Sequence, residues 1–562
     1  MKWIIPKHEG IPLVEWLYSQ RNIQDSKKFF KPTFEDLPDP FLIHDMNKAV
    51  DFVVESVKKN KKIFIHGDFD ADGITATSIM WLFLSKYLKA DILPYIPSRF
   101  YEGYGLTEES INAIKEKGGQ VIITVDCGVK DIELVNKYSS EIDFVITDHH
   151  TIRSIESDVD GSKVAGEFLI SSKAKAVVHP ALSKETFKEI CGAMVSYKFC
   201  CAVNQKLGLD VDMLQFADLC AIGTVCDVMP LTEENRTIVK LGLEKLSQAN
   251  NIGLNALLDQ SKVKDNRVNA YHIGFVIGPR LNAAGRLGDA LDAVRLLTTS
   301  SPSFARQMAQ KLEGLNTERK NLTEQFMLLA EDELRKSIDN NIFVYFGDEW
   351  PEGLLGLIAG KLSDKYNKPV IIGSKGKVYK ASARSPENFN ITEFLKNFED
   401  KLEKYGGHAQ AAGLTVKKDA LDSFLQSIII KAASFGSEIS EKIVHLDGMS
   451  TDISELNIDN AEKILRLEPF GNKNPKPVIY IGNAKIKRYS YMGQNNEHIK
   501  IVFADDKDNV IEALSFGDAK KFESFLGYST LPVEIAATLE VDEWNGFKKP
   551  TLRIVDFRIK QD

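Results

Sequence analysis

The chain has 562 residues, 43% of them hydrophobic and 27% charged, with a formal net charge of −8. That length is too great for one core and predicts three or four domains, and no apolar run of about 18 residues is present to span a membrane. The acidic balance argues against indiscriminate polyanion binding but does not exclude nucleic acid, because local basic surfaces decide affinity.

Residues 1–45 read as an arm packed on the first domain, with short apolar patches, WLYSQRNI and SKKFFKPTFEDLPDPFLI, separated by prolines. The opening MKWIIPKHEG lacks the basic start and long apolar core of a secretory signal, so a cytoplasmic protein is expected. Cys127, Cys191, Cys200, Cys201, Cys220 and Cys226 form no CxxC pair and no zinc-type spacing, and read as reduced core residues.

From Met46, DMNKAVDFVVESVKK places apolar residues at helical spacing and ends in lysines that suit a helix C-terminus. IFIHGDFDADG (63–73) follows, a short apolar run ending in His66 and three aspartates at alternate positions. A strand stopping at His66 would leave Asp68, Asp70 and Asp72 on the loop before the helix GITATSIMWLFLSKYL, where their carboxylates could converge. Such carboxylates raise one another's pKa unless something strongly positive sits among them, and hard divalent cations prefer oxygen ligands. Half of a metal site and an Asp-rich turn capping a helix near Ile74 are the two readings.

Three further stretches favour the metal. VIITVDCG (121–128) is an apolar run ending at Asp126, FVITDHH (144–150) ends in Asp148, His149 and His150, and AIGTVCDVMP (221–230) offers Asp227 in a turn. In an open parallel sheet the strand carboxyl ends share one edge, so these groups would meet in one cleft. Between them, DILPYIPSRFYEGYGL (91–106) begins as a strand and passes into a loop with Arg99, which would either pair with one of the acids or clamp a substrate phosphate.

HGDFDADG, VDCG, TDHH and GTVCDV are similar to the four ordered motifs of the DHH phosphoesterase superfamily. Later segments resemble, in order and spacing, its branch of 5′→3′ exonucleases specific for single-stranded DNA. The resemblance implies two divalent cations, Mn2+ or Mg2+, held by His66, Asp70, Asp72, Asp126, His149 and Asp227, with Asp126 bridging. It leaves Asp68 and His150 to orient ligands or water, and it favours the phosphate clamp for Arg99. Phe69 stands where the family more often has tyrosine, and Cys226 where a small apolar residue is usual.

AVVHP (176–180) then reads as a strand and residues 190–207 as a helix, and the α/β domain is expected to close near residue 235. IGPRLNAAGRL (277–287) sets Arg280 and Arg286 around small residues; Arg286 would pair with Asp289 or, as the resemblance implies, face a phosphate. Residues 303–337 carry the strongest helical stripe, predicting a helix of about 35 residues and about 50 Å that would act as a spacer between two lobes. In the second lobe IFVYFG and PVIIGS read as strands around a helix over 356–366, with GLLG ahead of it offering backbone N–H groups to a phosphate. Glycines before His408 would let the backbone turn tightly. SARS (382–385) and YGGHAQAAG (405–413) resemble the DHHA1 domain, which implies phosphate-binding roles for Ser382, Arg384 and His408. Five alternating runs from about Val444 suit an OB-type barrel, preceded by EPFGNKNPKP (468–477), which resembles a signature of the exonuclease branch. Between 471 and 500, six Lys and Arg stand against the single Glu497, among Tyr480, Tyr489 and Tyr491. That mixture suits single strands, with Lys487 and Tyr489 as candidates, or is an ordinary edge surface.

The predicted class is α/β. An arm (1–45) precedes a parallel-sheet DHH domain (46–235), a helical region with a long connecting helix (236–340), a DHHA1 α/β domain (341–443) and an OB-type β-barrel (444–562). The resemblance implies hydrolysis of single-stranded DNA from the 5′ end, in recombination and repair. Asp68, Asp126, His150, Arg286 and His408 would act in catalysis, and Arg99, Arg280, Arg286, Ser382, Arg384, His408, Lys487 and Tyr489 on the strand. A single-strand-binding protein and a helicase are the candidate protein partners of an expected monomer with no membrane association. The rivals are a DHH phosphodiesterase for short oligonucleotides or cyclic dinucleotides, which would lack the barrel, and a non-catalytic DNA-binding protein, against which the intact ligand set argues.

Overall fold

Short runs of β-branched and apolar residues, buried on both faces, give the first sheet its parallel strands. The computed structural model describes residues 2–559 other than 8–9, 22, 24, 100, 153, 160–161, 169, 172, 185, 249, 264–267, 338, 436–442, 518, 527–531 and 545. Phe100 of the Arg99 loop thus lies outside the described residues. The strands are β1 (Ile63–Gly67), β2 (Ile92–Tyr95), β3 (Val121–Val125), β4 (Asp143–Thr147) and β5 (Ala176–Val178), in the order β2-β1-β3-β4-β5. Register sets Gly67 against Val125, Val125 against Thr147 and Thr147 against Val178. The carboxyl ends therefore stop in line, and Asp68, Asp126, Asp148 and His179 all leave the sheet at one edge.

Helices α1 (Met46–Lys58), α2 (Ala71–Tyr87) and α3 (Gly192–Leu207) pack with this sheet, and α4 (Ala217–Cys226) packs on α2 and α3. The sequence places Asp72 on a loop and the helix start near Ile74, but α2 begins at Ala71 and holds Asp72 in its first turn. The Asp70 carboxylate causes this early start by accepting the Asp72 and Gly73 N–H groups as N-cap. Asp227, expected in a turn, is the C-cap of α4, so the fourth motif is a helix end beside the strand ends.

Chain contacts divide the molecule into two compact units, one built chiefly of Ala283–Asp289 and Gln310–Val444, the other of Trp3–Asn282, Ala290–Ala309 and His445–Asp562. After α5 (Glu233–Ser247) and α6 (Gly278–Leu287), the long helix α7 (Pro302–Arg335) appears as the stripe predicts, and the division falls within it.

In the first of these units, β6 (Phe343–Asp348), β7 (Val370–Lys375), β8 (Tyr379–Arg384), β9 (Leu402–His408) and β10 (Ala411–Val416) form a sheet in the order β9-β10-β8-β7-β6. Only β6 and β7 run parallel. Helix α8 (Glu352–Tyr366) starts earlier than expected, so GLLG lies in its first turns, where the Leu354 N–H donates to the Pro351 carbonyl at 3.0 Å. Gly406 and Gly407 lie inside β9, where a tight turn was expected. Gly407 has φ +152°, and a Cβ there would meet the Ala411 carbonyl oxygen at 2.2 Å, so it permits close strand pairing.

The other unit joins the parallel sheet to a closed barrel of β11 (Gly448–Ser450), β12 (Ile479–Met492), β13 (His498–Ala504), β14 (Val510–Ser515), β15 (Val533–Trp544) and β16 (Phe547–Ile559). The order is β11-β12-β13-β14-β16-β15, and pairing of β12 with β15 closes it. The arm corrects a second expectation, since its leading part packs on the barrel. Leu13 and Leu17 complete the barrel core, and the Trp3 indole donates to Asp556 at 3.0 Å. Its later part reaches the first domain, where Lys198 donates to the Pro38 carbonyl, and helix α5 (Glu233–Ser247), whose Arg236 guanidinium lies 3.7 Å from the Phe29 ring centre. Apolar spacing marks the patches but cannot name the surface that covers them.

Candidate metal centre

Backbone bonds fix the places of Asp126, Asp148 and Asp72. Asp126 takes a left-handed conformation, φ +61°, and its N–H donates to the Thr147 carbonyl at 3.1 Å. The Asp148 carboxylate accepts the His149 and His150 N–H groups at 2.7 and 3.1 Å, the Val129 N–H at 2.9 Å and the His150 ring at 2.8 Å. With that turn fixed, His149 Nε2 lies 3.0 Å from Asp126, 3.6 Å from Asp227 and 3.7 Å from Asp72. Asp72 accepts the Gly192 and Ala193 N–H groups, at 2.6 and 2.8 Å, where α3 begins and the helix dipole favours negative charge.

Three sets of donors converge, each with its ligand atoms within 4.8 Å of one another: Asp68, Asp70 and Asp126; Asp72, His149 and Asp227; and Asp126, His149 and His150. Burial pushes the Asp68 and Asp126 carboxyls well up, and neighbouring carboxylates add to the shift. Asp70 and Asp227 rise for the same two reasons. Burial also works against charge on Asp148, yet the bond and charge of His150 hold it well below the carboxylate range, while Asp148 raises His150 against its own burial. Asp68 Oδ1 and Asp227 Oδ2 are buried with no hydrogen-bond partner among the described residues. Clustered acids with orphaned oxygens are the surroundings a hard divalent cation fits, because its charge removes both the repulsion and the unmet acceptor.

His66, expected as a ligand, is fully buried, with Nε2 3.2 Å from the Ser110 hydroxyl and its ring stacked on Tyr95 at 5.5 Å, and it joins no donor set among the described residues. Its position within β1 turns the ring into the packed interior, where burial lowers its pKa to about 4, and Asp68 just beyond the strand takes the place at the edge. Arg99 sits beside that acid, its guanidinium 5.0 Å from the Phe69 ring centre and its charge lowering Asp68. Arg280, expected to contact the strand, is buried and donates to the Val276 carbonyl at 2.8 Å.

Other contributors escape sequence reading. The Asn282 carboxamide accepts the Ala71 N–H at 2.8 Å, securing the start of α2. Tyr104 places its hydroxyl 3.0 Å from His150 Nε2 and 3.3 Å from the Asp126 carbonyl, and His179 Nε2 lies 2.8 Å from the His150 carbonyl. A Cβ at Gly192 would stand 2.5 Å from Asp126 Cβ, and one at Gly223 2.5 Å from Asp72 Oδ1. Asn282 lies between the two arginines of IGPRLNAAGRL, Tyr104 in DILPYIPSRFYEGYGL, His179 in AVVHP and Gly223 in AIGTVCDVMP, segments whose pattern does not single these residues out.

In the separate unit, Arg286 donates to the Gly353 carbonyl at 2.7 Å, and Arg384 donates to the Ser382 hydroxyl at 3.1 Å. Gly356 of α8 makes room for the latter pair, since a Cβ would lie 2.9 Å from Arg384 Nη2 and 3.0 Å from Ser382 Oγ. Arg384 and His408 both stand opposite Ala411 in the sheet, on either side of β10. On the barrel, Tyr489 and Tyr491 are exposed on β12 with rings 6.0 Å apart, and Lys487 lies 4.0 Å from Asp508. Tyr480, expected among them, is buried and donates to Glu534 at 2.6 Å.

The family model of the DHH N-terminal domain matches residues 62–224, that of the DHHA1 domain 339–433 and that of the RecJ OB domain 448–556. Fold and site thus define a metal-dependent phosphoesterase of the DHH class. The single-stranded-DNA-specific exonuclease RecJ of Bacillus subtilis is 33% identical over 565 residues, 98% of this chain and 68% of that protein. RecJ of Thermus thermophilus, in complex with Mn2+, superposes with a TM-score of 0.80 at 27% identity over 98% of this chain and 76% of its own. Its Mg2+ complex gives 0.75 at 26% identity over 98% and 75%. The chain belongs to the RecJ family.

Proposed function

We propose that this protein is an exonuclease that hydrolyses single-stranded DNA from the 5′ end, using two divalent cations, manganese or magnesium, in DNA recombination and repair. The observation that carries the reading is the sharing of Asp126 between two donor sets beside the orphaned oxygens of Asp68 and Asp227. Asp68, Asp70 and Asp126 would hold one cation, and Asp72, His149 and Asp227, beside the same Asp126, the other. Bound there, such ions offset phosphate charge and lower the pKa of a water to allow attack at neutral pH. His150 keeps a proton on Nδ1 through its bond to Asp148 and supports the cluster beside Asp126. No side chain is required as a nucleophile.

Arg286, Ser382, Arg384 and His408 are the residues we assign to strand phosphates, with Arg384 and Arg99 as candidates for the terminal one. A guanidinium can grip a phosphate by two parallel hydrogen bonds, which gives an end-recognising site a basis for polarity. Lys487, Tyr489 and Tyr491 would neutralise and stack a single strand on the barrel. The divisions at 45, 235, 340 and 443 are working domain boundaries for this monomeric, cytoplasmic enzyme, with a single-strand-binding protein and a helicase as proposed partners. Among the described residues no helix is long and apolar enough to cross a membrane. The match to a RecJ OB domain disfavours the phosphodiesterase for short oligonucleotides or cyclic dinucleotides.

The test is a timed digest of single strands labelled at either end, with Mn2+ or Mg2+. A 5′ label should appear at once as mononucleotide while a 3′ label descends through a ladder of lengths; the reverse pattern would overturn the polarity.

A further inference from the structure

The turn that carries Asp227 is held from far along the chain. Directly after Asp227, the Val228 and Met229 N–H groups close the end of α4 on the Val225 and Thr224 carbonyls at 3.2 and 3.1 Å, and the exposed Val228 takes φ +56°, a left-handed conformation that costs a β-branched residue. The Val228 carbonyl accepts a 2.7 Å hydrogen bond from the Asn472 side chain, and the Leu231 N–H donates to the Asn472 carbonyl at 2.8 Å. Asn472 thus brackets the turn with one donor and one acceptor.

Its own backbone is firmly built. The Asn474 carboxamide donates to the Leu467 and Pro469 carbonyls at 3.0 and 2.8 Å and accepts from Arg21 at 3.0 Å, while Gly471 and Asn474 exchange backbone bonds at 3.0 and 3.1 Å. Arg236, on the helix that follows the Asp227 turn, donates to the Leu467 and Glu468 carbonyls at 2.9 and 2.7 Å. This anchored loop is the EPFGNKNPKP segment, and barrel strand β12 begins just beyond it at Ile479.

We infer that Asn472 is a positioning residue for the metal centre: it holds the left-handed Val228 and so keeps the Asp227 carboxylate aimed at His149 and Asp72. Asp227 needs such help because Oδ2 has no hydrogen-bond partner among the described residues to aim it, whereas backbone N–H groups hold Asp72. The inference rests on the proposed metal centre and extends it to a residue 245 positions away in the sequence.

The experiment is titration of the metal-free protein with Mn2+, reading free Mn2+ by its electron paramagnetic resonance signal. Wild type, Asn472→Ala, the near-isosteric Asn472→Leu, Val228→Gly and the double variant Val228→Gly with Asn472→Ala are compared, with thermal melts of each. Loss of the side-chain bond should weaken one of two Mn2+ sites by about tenfold, the lower range for residues that orient ligands. Val228→Gly alone should bind as wild type, and the double variant should recover to about threefold of it, because glycine adopts the left-handed turn unaided. Wild-type affinity in Asn472→Leu, or a double variant no better than Asn472→Ala, would overturn the inference and leave the metal centre standing. Failure of wild type itself to bind Mn2+ would remove the centre.

Discussion

Two charged constellations in this molecule use the same elements in opposite ways. Around Asp126 the chain gathers carboxylates beyond what burial allows and directs the first amides of α3 at Asp72, one of its own acids. Around α8 it gathers Arg286, Arg384 and Ser382, with the guanidinium groups bonded to the carbonyls of Gly353 and Ala383. One site is short of positive charge until cations enter it. The other already carries its charge and is shaped by the absence of a side chain at Gly356. Chemistry and recognition are thus expected to respond to different perturbations.

The largest effect should come from removing the acid shared by two donor sets. Asp126→Ala is expected to lower cleavage roughly a thousandfold or more, in line with the loss of a ligand to the cations that would offset transition-state charge. Initial rates on a uniform single strand check this, and activity within tenfold of wild type would show that Asp126 is not central.

Next in size is the response of the metal-free protein to pH and Mn2+. The folded pKa values of Asp68, Asp126 and Asp227 lie above unfolded values, through burial and then neighbouring carboxylates. Their contribution to stability is therefore present below the ordinary carboxylate range and lost as pH rises through the folded values. Asp148, shifted down by His150 against its burial, acts in the opposite sense and loses its contribution as pH falls. Melting temperature without metal should fall between pH 5 and pH 8, and Mn2+ at a hundred times its Kd should restore about 2.7 kcal/mol for each site filled at pH 8. A metal-free melt that rises over that interval would contradict the clustered acids.

The arginine site should respond more modestly. Arg384→Lys is expected to reduce the preference for 5′-phosphorylated over 5′-hydroxyl strands about tenfold, because lysine cannot reproduce the fork, while Mn2+ binding is unchanged. Gly356→Ala should reduce the same ratio about threefold by displacing the guanidinium, a fraction of the charge-assisted bond that the lysine removes. Equal ratios in both variants and wild type would move end recognition to Arg99.

The strands and the edge that collects the site were legible because apolar runs ending in aspartate are what a parallel sheet with an active edge looks like in one dimension. Closure of the barrel was equally legible from its alternating runs. The direction of individual side chains was not. His66 lies inside the motif, yet its place within β1 sends it to Ser110. Arg280 and Arg286 occupy one motif, yet one bonds within its own helical segment and the other reaches Gly353. Asn472, Arg21 and the leading arm act on partners hundreds of residues away, where local pattern carries no information about which surface the chain meets.

The most direct measurement is the number of Mn2+ ions bound by metal-free wild type and by Asp126→Ala, counted by equilibrium titration on protein whose fold is confirmed by circular dichroism. Two ions in wild type and at most one, weakly held, in Asp126→Ala are the expected result. Equal numbers bound with equal affinity in the two proteins would contradict a centre organised around Asp126.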